Sequence, residues 1–563
     1  MPGLETAETI ADALAARARS HPGRLALAVA RKGRWRGGRY DEVSLAELEH
    51  DADTFAAVFA NHGIRRGMRT VLMITPGREF CAAIFALLKL GAPPVFIDPG
   101  IGLGNVGSCI RNAMPTAFIG IRKAQMARRV FGWGRDSIRI SLTVESLPRD
   151  GSGPMAVDRR EFPRVSHPGD TPEDQGIAAI AFTSGSTGPP KAVVFDHQNL
   201  LAQADLLGEL SGTYAGEPHL ATFPLFLLFA PVLGIAAIVP DMDTSKPAAA
   251  DPLRLIAAID DYRCRSAFAS PALVCRLGAY CRETNRKLPS MERVLSAGAP
   301  SDPNALATLA AAIAPGGEIF TPYGATEALP VSNLSSREIL TETSHKTRRG
   351  AGVCVGRPLR GMTASIIPIG DSSIHDWSEV SPLPRHEIGE ITVSGGVVSR
   401  QYFNNPEATR HSKITCRVTG LLYHRMGDVG YLDDLGRLWM CGRKSHRVVT
   451  PKRVHFTVPA EGVFNFHKEV ARTALVGVTC RESTVPVLCV ELAARKSAKA
   501  RKRIAGELRA LGANFEHTRD IRYFLYHRSF PVDARHNSKI RREDLAVWAK
   551  RRIGTHNLEV KEE

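Results

Sequence analysis

Residues 183–191 read Thr183-Ser184-Gly185-Ser186-Thr187-Gly188-Pro189-Pro190-Lys191, a run of hydroxyl side chains, two glycines, two prolines and a lysine. Glycines let the backbone turn its N–H groups toward one point, and the hydroxyls and the lysine add further donors for an anion. The preceding apolar run, residues 177–182, predicts a buried strand that holds this loop. The stretch therefore predicts a phosphate-binding loop at the end of a strand.

The spacing differs from that of the P-loop, in which a lysine and a hydroxyl residue directly follow the second glycine. Here two prolines separate Gly188 from Lys191, and Ala192 follows the lysine. A Walker-type NTPase is therefore not favoured. The alternative that composition alone would favour is a flexible Gly/Ser linker.

Six further motifs follow in order along the chain. They are residues 296–300 (Ser-Ala-Gly-Ala-Pro), 323–327 (Tyr-Gly-Ala-Thr-Glu), 389–391 (Gly-Glu-Ile), 423–428 (Tyr-His-Arg-Met-Gly-Asp), 442–444 (Gly-Arg-Lys) and 537–542 (Asn-Ser-Lys-Ile-Arg-Arg). Together with residues 183–191 they resemble the signatures of the adenylate-forming superfamily of acyl-CoA synthetases, luciferases and peptide-synthetase adenylation domains. The resemblance spans nearly the whole chain.

This resemblance implies an α/β fold of two domains. Residues 1–442 would form a large N-terminal domain of several subdomains with parallel-rich sheets, and residues 443–563 a small, mobile α+β C-terminal lid. The length of 563 residues agrees, because it exceeds what one hydrophobic core normally supports. Apolar runs alternate with helical patterns, which favours βαβ units. Polar residues dominate 335–349, which predicts a surface loop.

Carboxylate activation brings two anions together at the α-phosphorus of ATP, so positive charge must converge there. The resemblance implies ATP and Mg²⁺ as cofactors, with Glu327 as metal ligand and Lys191 and Lys539 as catalytic cations. It implies that Asp428 binds the ribose hydroxyls with help from Arg443, and that Tyr323 stacks on adenine. The other implied nucleotide-binding residues are Thr183, Ser184, Gly185, Ser186, Thr187, Gly188, Gly298, Ala299, Pro300, Gly324, Ala325 and Thr326.

Departures from the family pattern bear on the acyl group and its acceptor. Phe226, Leu227 and Phe229 lie in an apolar run where many relatives carry a histidine, so they are candidates for the wall of a long-chain pocket, with ordinary core packing as the alternative. His197 is a further candidate, for which packing or loop support is favoured over catalysis. After residue 442 the glycine that relatives present to pantetheine is missing, which weakens the case for CoA as acceptor.

Residues 324–331 (Gly-Ala-Thr-Glu-Ala-Leu-Pro-Val), 442–447 (Gly-Arg-Lys-Ser-His-Arg) and 530–533 (Phe-Pro-Val-Asp) look most like the branch of the superfamily that makes β-lactones on the way to bacterial long-chain olefins. This implies that a long-chain 2-alkyl-3-hydroxy acid is adenylated and that its own hydroxyl displaces AMP. Possible partners are a β-lactone decarboxylase and an NADPH-dependent reductase of the same pathway. The alternatives are a long-chain acyl-CoA or acyl-carrier ligase and, from another class, a nucleotide-binding scaffold without catalysis.

The formal net charge of +16 allows nucleic acid, an anionic membrane surface or anionic substrates as partners. No nucleic-acid motif accompanies the charge, so no nucleic-acid partner is expected. The densest basic segment, residues 495–503, predicts the start of a surface helix, either solvated or in peripheral contact with a membrane or an acidic partner. The N-terminus lacks a signal-peptide core and no apolar run is long enough to span a membrane, so a cytoplasmic location is expected.

Overall fold

The computed structural model describes residues 7–31, 40–144, 156–159, 176–183, 189–212, 215–480, 483–532 and 540–554. The helices are α1 Ile10–Ser20, α2 Leu45–Asn61, α3 Arg78–Lys89, α4 Leu103–Ala113, α5 Arg122–Phe131, α6 His197–Ser211, α7 Phe226–Leu233, α8 Pro252–Tyr262, α9 Pro271–Glu283, α10 Pro303–Ala310, α11 Ser336–Glu338, α12 Ser344–Thr347, α13 Pro406–Ser412, α14 Thr457–Phe464, α15 Ala498–Ala513 and α16 Arg542–Gly554.

The strands are β1 Leu25–Ala30, β2 Tyr40–Ser44, β3 Thr70–Met73, β4 Pro94–Phe96, β5 Ala117–Gly120, β6 Ile140–Thr143, β7 Ala156–Arg159, β8 Ile177–Phe182, β9 Ala192–Asp196, β10 Pro218–Ala221, β11 Ala236–Val239, β12 Ser266–Ala269, β13 Arg293–Ser296, β14 Glu318–Phe320, β15 Tyr323–Ala325, β16 Ala328–Asn333, β17 Val353–Pro358, β18 Thr363–Ile367, β19 Gly389–Ser394, β20 Lys413–Thr415, β21 Leu422–Leu432, β22 Leu438–Arg443, β23 Val448–Val449, β24 Val454–His455, β25 Val470–Cys480, β26 Ser483–Leu492 and β27 Tyr523–Tyr526.

Two seven-stranded sheets form the body of the molecule. Sheet A has the order β14-β13-β12-β10-β11-β1-β2, and sheet B the order β7-β6-β5-β3-β4-β8-β9. All pairings in sheet A are parallel except β1–β2, and in sheet B only β6–β7 and β8–β9 are antiparallel. The fold class expected from the sequence, an α/β body with parallel-rich sheets, is confirmed.

Helices cover both faces of each sheet, as parallel sheets require because their strands are buried on both sides. Helices α1, α2, α3, α6 and α7 share one apolar core between sheets A and B. Helices α8 to α10 cover the outer face of sheet A, and α4 and α5 cover the outer face of sheet B. The body is therefore a five-layered αβαβα sandwich.

A third, antiparallel sheet of eight strands has the order β15-β16-β17-β22-β21-β19-β18, with β20 paired to β21. Its strand β15 begins three residues after β14 of sheet A ends. Because parallel strands in an open α/β sheet place ligands beyond their carboxyl ends, this junction is where a site is expected. The chain then continues into a smaller C-terminal unit.

The C-terminal unit is built on the three-stranded sheet β25-β26-β27, in which β25–β26 is antiparallel and β26–β27 parallel. Helices α14 and α15 pack on one face and α16 on the other, each with its own apolar cluster. The predicted small α+β module is confirmed. The basic segment does open a helix: Ser497 caps α15 by accepting a hydrogen bond from the Ala500 N–H.

The structure confirms one local prediction made from the sequence and contradicts another. The apolar run 177–182 is strand β8, as predicted. The surface loop predicted for residues 335–349 is wrong, because α11, a π-helical turn over Ile339–Thr343 and α12 occupy it. Its polar side chains make the helical turns stable: Ser335 caps the first one, and Glu342 pairs with Arg437 at 2.8 Å. No described helix is both long and apolar enough to cross a membrane.

Candidate functional site

One open cleft of about 2680 Å³ runs between the carboxyl ends of the sheet strands, the antiparallel sheet and the C-terminal unit. This volume exceeds the roughly 300–1,000 Å³ of an ordinary small-molecule pocket, so the cleft has room for a nucleotide and a large second substrate. The predicted residues that line it are Thr183, Lys191, Gly298, Ala299, Pro300, Tyr323, Gly324, Ala325, Thr326, Glu327, Asp428, Arg443, Phe226 and Phe229.

The two ends of the phosphate-loop sequence are held together by the β8–β9 hairpin. The Thr183 N–H donates to the Lys191 carbonyl at 3.0 Å, and the Lys191 N–H donates to the Thr183 hydroxyl at 3.1 Å. Ser184, Gly185, Ser186, Thr187 and Gly188 lie outside the described residues. The flanking contacts nevertheless fix where the loop leaves and re-enters the sheet, at the edge of the cleft.

Gly298 follows strand β13 and adopts φ = 105°, a conformation that L side chains rarely adopt, so glycine is required for this backbone path. The next two residues, Ala299 and Pro300, also border the cleft. Strand β15, which carries Tyr323 to Ala325, lines the cleft as well. The segment after β13 and strand β15 thus both contribute to the wall of the cleft.

Asp428 is buried, with an exposed fraction of 3%, beneath Tyr323 and beside Arg443. The Tyr323 hydroxyl donates to Oδ2 at 2.7 Å, and the Arg443 Nε lies 3.2 Å from Oδ1. Burial raises the pKa of Asp428, while Arg443 and the Tyr323 hydroxyl oppose the rise. Oδ1 receives no well-aligned hydrogen bond from any described residue. A buried carboxylate oxygen without a donor has a place for a ligand hydroxyl.

Glu327 follows strand β15 and is held from the side by Tyr402. The Tyr402 hydroxyl donates to Oε1 of Glu327 at 2.6 Å, and the Lys191 ammonium lies 5.0 Å above the Tyr402 ring. Within the described part of the chain, Oε2 of Glu327 accepts no hydrogen bond. A half-buried carboxylate that lines the cleft and has one oxygen without a hydrogen bond is a hard ligand of the kind Mg²⁺ prefers. The residues present therefore fit this metal.

Two buried polar residues near Glu327 were not expected from the sequence. Lys413 donates to the Ser399 hydroxyl at 3.2 Å and has no carboxylate within ion-pair distance among the described residues. Burial lowers its pKa to about 7, although the charge of Glu327 acts in the opposite direction. Burial and then the Lys413 charge keep the pKa of His424 well below its usual range. Lys413 lies in a short polar stretch that no motif marks, and His424 lies within the motif 423–428 but had no role predicted for it.

A buried ion pair supports the strand that carries Asp428. The Arg425 guanidinium binds Glu390 at 2.6 Å, and the two side chains have exposed fractions of 3% and 1%. Arg425 also donates to the Ser372 carbonyl at 2.7 Å, and Lys444 reaches Glu390 at 3.3 Å. These contacts tie β19, β21 and the end of β22 together. They fix the positions of the strands that carry Asp428 and Arg443.

The candidate acyl-pocket residues separate into two groups. Phe226, Leu227 and Phe229 all lie on helix α7 and belong to the buried core between the sheets, but only Phe226 and Phe229 also line the cleft. His197 begins α6 and does not line the cleft. Burial lowers the pKa of His197, and its Nδ1 has no described partner.

Lys539 lies outside the described residues, but the chain on its C-terminal side can be followed. Ile540 and Arg542 both line the cleft. Arg542 pairs with the buried Glu461 of α14, through its Nη2 at 2.9 Å from Oε2. The segment that contains Lys539 therefore re-enters the described structure at the cleft.

Comparison with known proteins agrees with this geometry. The family model described as "AMP-binding enzyme" matches residues 14–403. The chain is 42% identical over 97% of its length, and 98% of the relative, to an olefin β-lactone synthetase of Xanthomonas campestris. It is 43% identical over 94% of its length, and 96% of the relative, to an olefin β-lactone synthetase of Stenotrophomonas maltophilia.

Solved structures show the same fold at low sequence identity. An amide bond synthetase of Marinactinospora thermotolerans superposes with a TM-score of 0.74 at 23% identity, covering 96% of this chain and 99% of that one. An o-succinylbenzoate–CoA synthetase of Bacillus subtilis, in complex with ATP and a magnesium ion, gives 0.72 at 20% identity, covering 95% and 98%.

The chain belongs to the family of AMP-binding, adenylate-forming enzymes. It is accordingly a ligase that activates a carboxylate with ATP. Within that family its sequence is similar, over nearly its full length, to the olefin β-lactone synthetases.

Proposed function

We propose that this enzyme adenylates a long-chain 2-alkyl-3-hydroxy acid and closes the adenylate to a β-lactone, releasing pyrophosphate and then AMP. The observation that carries the proposal is the identity of 42% and 43%, over nearly the whole chain, to two olefin β-lactone synthetases. The cleft supports it, because it combines a nucleotide site with an apolar wall that includes Phe226 and Phe229.

In this proposal the nucleotide lies across the side of the cleft formed by residues 298–300 and strand β15. Asp428 accepts a ribose hydroxyl at Oδ1, which receives no hydrogen bond from the described residues and lies 3.2 Å from the Arg443 Nε. Arg443 favours the ionised form of that carboxylate, and the Tyr323 hydroxyl fixes its orientation by donating to Oδ2. The backbone of Gly298 to Pro300 borders the adenine, and the ring of Tyr323 stacks on it.

The triphosphate would extend toward Lys191 and residues 183–188, with Mg²⁺ bound by Oε2 of Glu327. When bound, the metal neutralises phosphate charge and so lowers the repulsion between the triphosphate and the attacking carboxylate. The residues of this chain position the groups that would bind the metal and the triphosphate. Tyr402 holds Glu327 by a hydrogen bond, and the ammonium of Lys191 stands next to the same ring.

The first reaction forms a bond between a carboxylate oxygen and the α-phosphorus, and pyrophosphate leaves. The second forms a bond between the 3-hydroxyl oxygen and the acyl carbon. The bond from that carbon to the AMP oxygen breaks, and the hydroxyl proton is released. Because nucleophile and electrophile belong to one molecule, proximity replaces the binding of a second substrate. The sequence agrees, since residues 443–461 contain no glycine to present to a pantetheine arm.

We also propose that the small domain begins at Arg443 and acts as a lid that carries Lys539 to the α-phosphate. The expected effect of Lys539→Ala is a loss of adenylation by at least about 100-fold with little change in ATP binding, because a positioned charge acts mainly on the transition state. Unchanged ATP–pyrophosphate exchange in this variant would contradict the assignment.

The hydroxyl is the element of the substrate that separates this proposal from a CoA ligase. A 2-alkyl acid without the 3-hydroxyl should give pyrophosphate and bound acyl-AMP but no free AMP, and the matched 3-hydroxy acid should give lactone. Release of AMP from the deoxy acid only after CoA is added would instead identify a CoA ligase. Pathway partners that fit the proposed chemistry are an NADPH-dependent reductase that supplies the hydroxyl and a decarboxylase that consumes the lactone.

A further inference from the structure

Helix α5, Arg122–Phe131, carries three large apolar side chains that face solvent. Met126, Val130 and Phe131 have exposed fractions of 63%, 73% and 52%. Met126 and Val130 are four residues apart and so lie on the same face of the helix, and Phe131 follows at the end of the helix beside them. Exposed apolar residues are usually scattered singly, and a group on one helix is typical of a surface that binds something.

The same helix is strongly basic. Residues 111–139 contain seven basic residues and a single acid, Asp136; the basic residues are Arg111, Arg122, Lys123, Arg128, Arg129, Arg135 and Arg139. Of these, Arg122, Lys123 and Arg129 are exposed on α5 itself, and Arg135 is exposed just after it. An amphipathic helix that combines exposed apolar residues with lysine and arginine is typical of helices that lie in the interface of an anionic bilayer.

The inner side of α5 belongs to the active-site cleft. Ala124 and Ala127 line the cleft together with Trp133, which follows the helix. Trp133 stacks on Phe131, with ring centroids 5.5 Å apart, and lies close to Gly107 of α4. One short helix thus connects the cleft to an apolar, positively charged outer surface.

We propose that the outer face of α5 docks this enzyme on an anionic lipid bilayer, so that an acid with long alkyl chains passes between the membrane and the cleft beside α5. The second clause depends on the proposed function, and the docking itself does not. Charge complementarity favours an anionic bilayer over a second copy of the chain as the partner of this face, because two chains of net charge +16 would bring like charges together.

The basic helix α15 is a weaker candidate for this contact. No large apolar side chain on α15 is exposed in the described structure. Its charge therefore lacks the apolar component that α5 has.

Vesicle sedimentation with the full-length protein tests the proposal. We expect binding to mixed phosphatidylglycerol–phosphatidylcholine vesicles and at least roughly tenfold weaker binding of the variant M126E/V130E, because both substituted side chains would enter the apolar boundary of the bilayer. Lys123→Glu should weaken binding to the mixed vesicles and leave the weak binding to pure phosphatidylcholine unchanged. The control Val418→Glu alters a residue that is 90% exposed on another surface, and it should bind as the wild type does.

Three results would overturn the proposal: no binding of the wild type to the mixed vesicles, equal binding of M126E/V130E, or loss of binding in K499E/K502E of α15 instead. Concentration-dependent self-association that M126E/V130E abolishes would assign the face to a second copy. ATP–pyrophosphate exchange with a water-soluble acid, measured without vesicles, should be the same in all variants. This readout separates a failure of docking from a failure of the proposed chemistry.

Discussion

Asp428→Asn is expected to weaken ATP binding strongly, because Oδ1 of Asp428 is the proposed acceptor for a ribose hydroxyl. This buried oxygen lies beside the Arg443 guanidinium and receives no hydrogen bond from the described residues, whereas Oδ2 accepts from Tyr323. A hydrogen bond to a charged group contributes about 1.5–3 kcal/mol. Asparagine loses the charge and presents an N–H₂ group where one of the two oxygens stood. The loss is therefore about 3 kcal/mol, which is roughly a 100-fold rise in the Kd for ATP.

Titration calorimetry with ATP on wild type and variant measures this change directly. Tyr323→Phe is the matched control, since it removes the donor to Oδ2 and leaves the carboxylate in place. We expect a rise in Kd of about fivefold in the control, corresponding to one hydrogen bond of about 1 kcal/mol. A Kd for Asp428→Asn within twofold of the wild-type value would refute the assignment of Asp428 to the ribose.

Three further variants test other parts of the account. The folded pKa of Lys413 is about 7, below its ordinary value of 10.5, so the unfolded state binds more protons between these two pH values. The free energy of unfolding should therefore rise with pH in that window, by at most about 1.4 kcal/mol per pH unit. Urea denaturation of Lys413→Met should show no such rise. Glu327→Gln should raise the Mg²⁺ concentration needed for half-maximal ATP–pyrophosphate exchange about tenfold, and an unchanged requirement would contradict a role as metal ligand. Arg425→Met leaves the buried carboxylate of Glu390 with only the partly exposed Lys444 as a cationic partner and should lower the free energy of unfolding by about 3 kcal/mol. The ion pair of the exposed Arg400 with Asp196 offers the comparison, because Arg400→Met should lower the free energy of unfolding by less than about 1 kcal/mol.

The sequence predicts the parts of the site that are encoded as local motifs. Residues 183–191, 323–327 and 423–428 are each contiguous, and each follows or lies in a strand that the structure confirms. The resemblance of these motifs to those of the adenylate-forming superfamily implies that Thr183, Glu327 and Asp428 line one cleft, as they do. Strand β8 was predicted with its observed bounds because its apolar run is uninterrupted.

Contacts between distant segments could not be predicted in this way. The hydrogen bond from Tyr402 to Glu327 joins residues 75 positions apart, and the buried position of Lys413 depends on the pairing of β20 with β21 and on a contact with Ser399. In residues 226–233 every side chain is apolar and buried, so no periodicity indicates that Phe226 borders the cleft and Leu227 does not. The helical turns at 335–349 escaped prediction because ion pairs and a cap, rather than an apolar stripe, hold them.

The most direct test of the proposed reaction is a product analysis without CoA. The purified enzyme is incubated with Mg-ATP and a long-chain 2-alkyl-3-hydroxy acid, and AMP is quantified alongside the organic product by NMR and mass spectrometry. The account predicts one AMP for each product molecule, and a product lighter than the acid by one water with the proton shifts of a four-membered lactone. Pyrophosphate release without lactone, followed by a thioester once CoA is added, would contradict it.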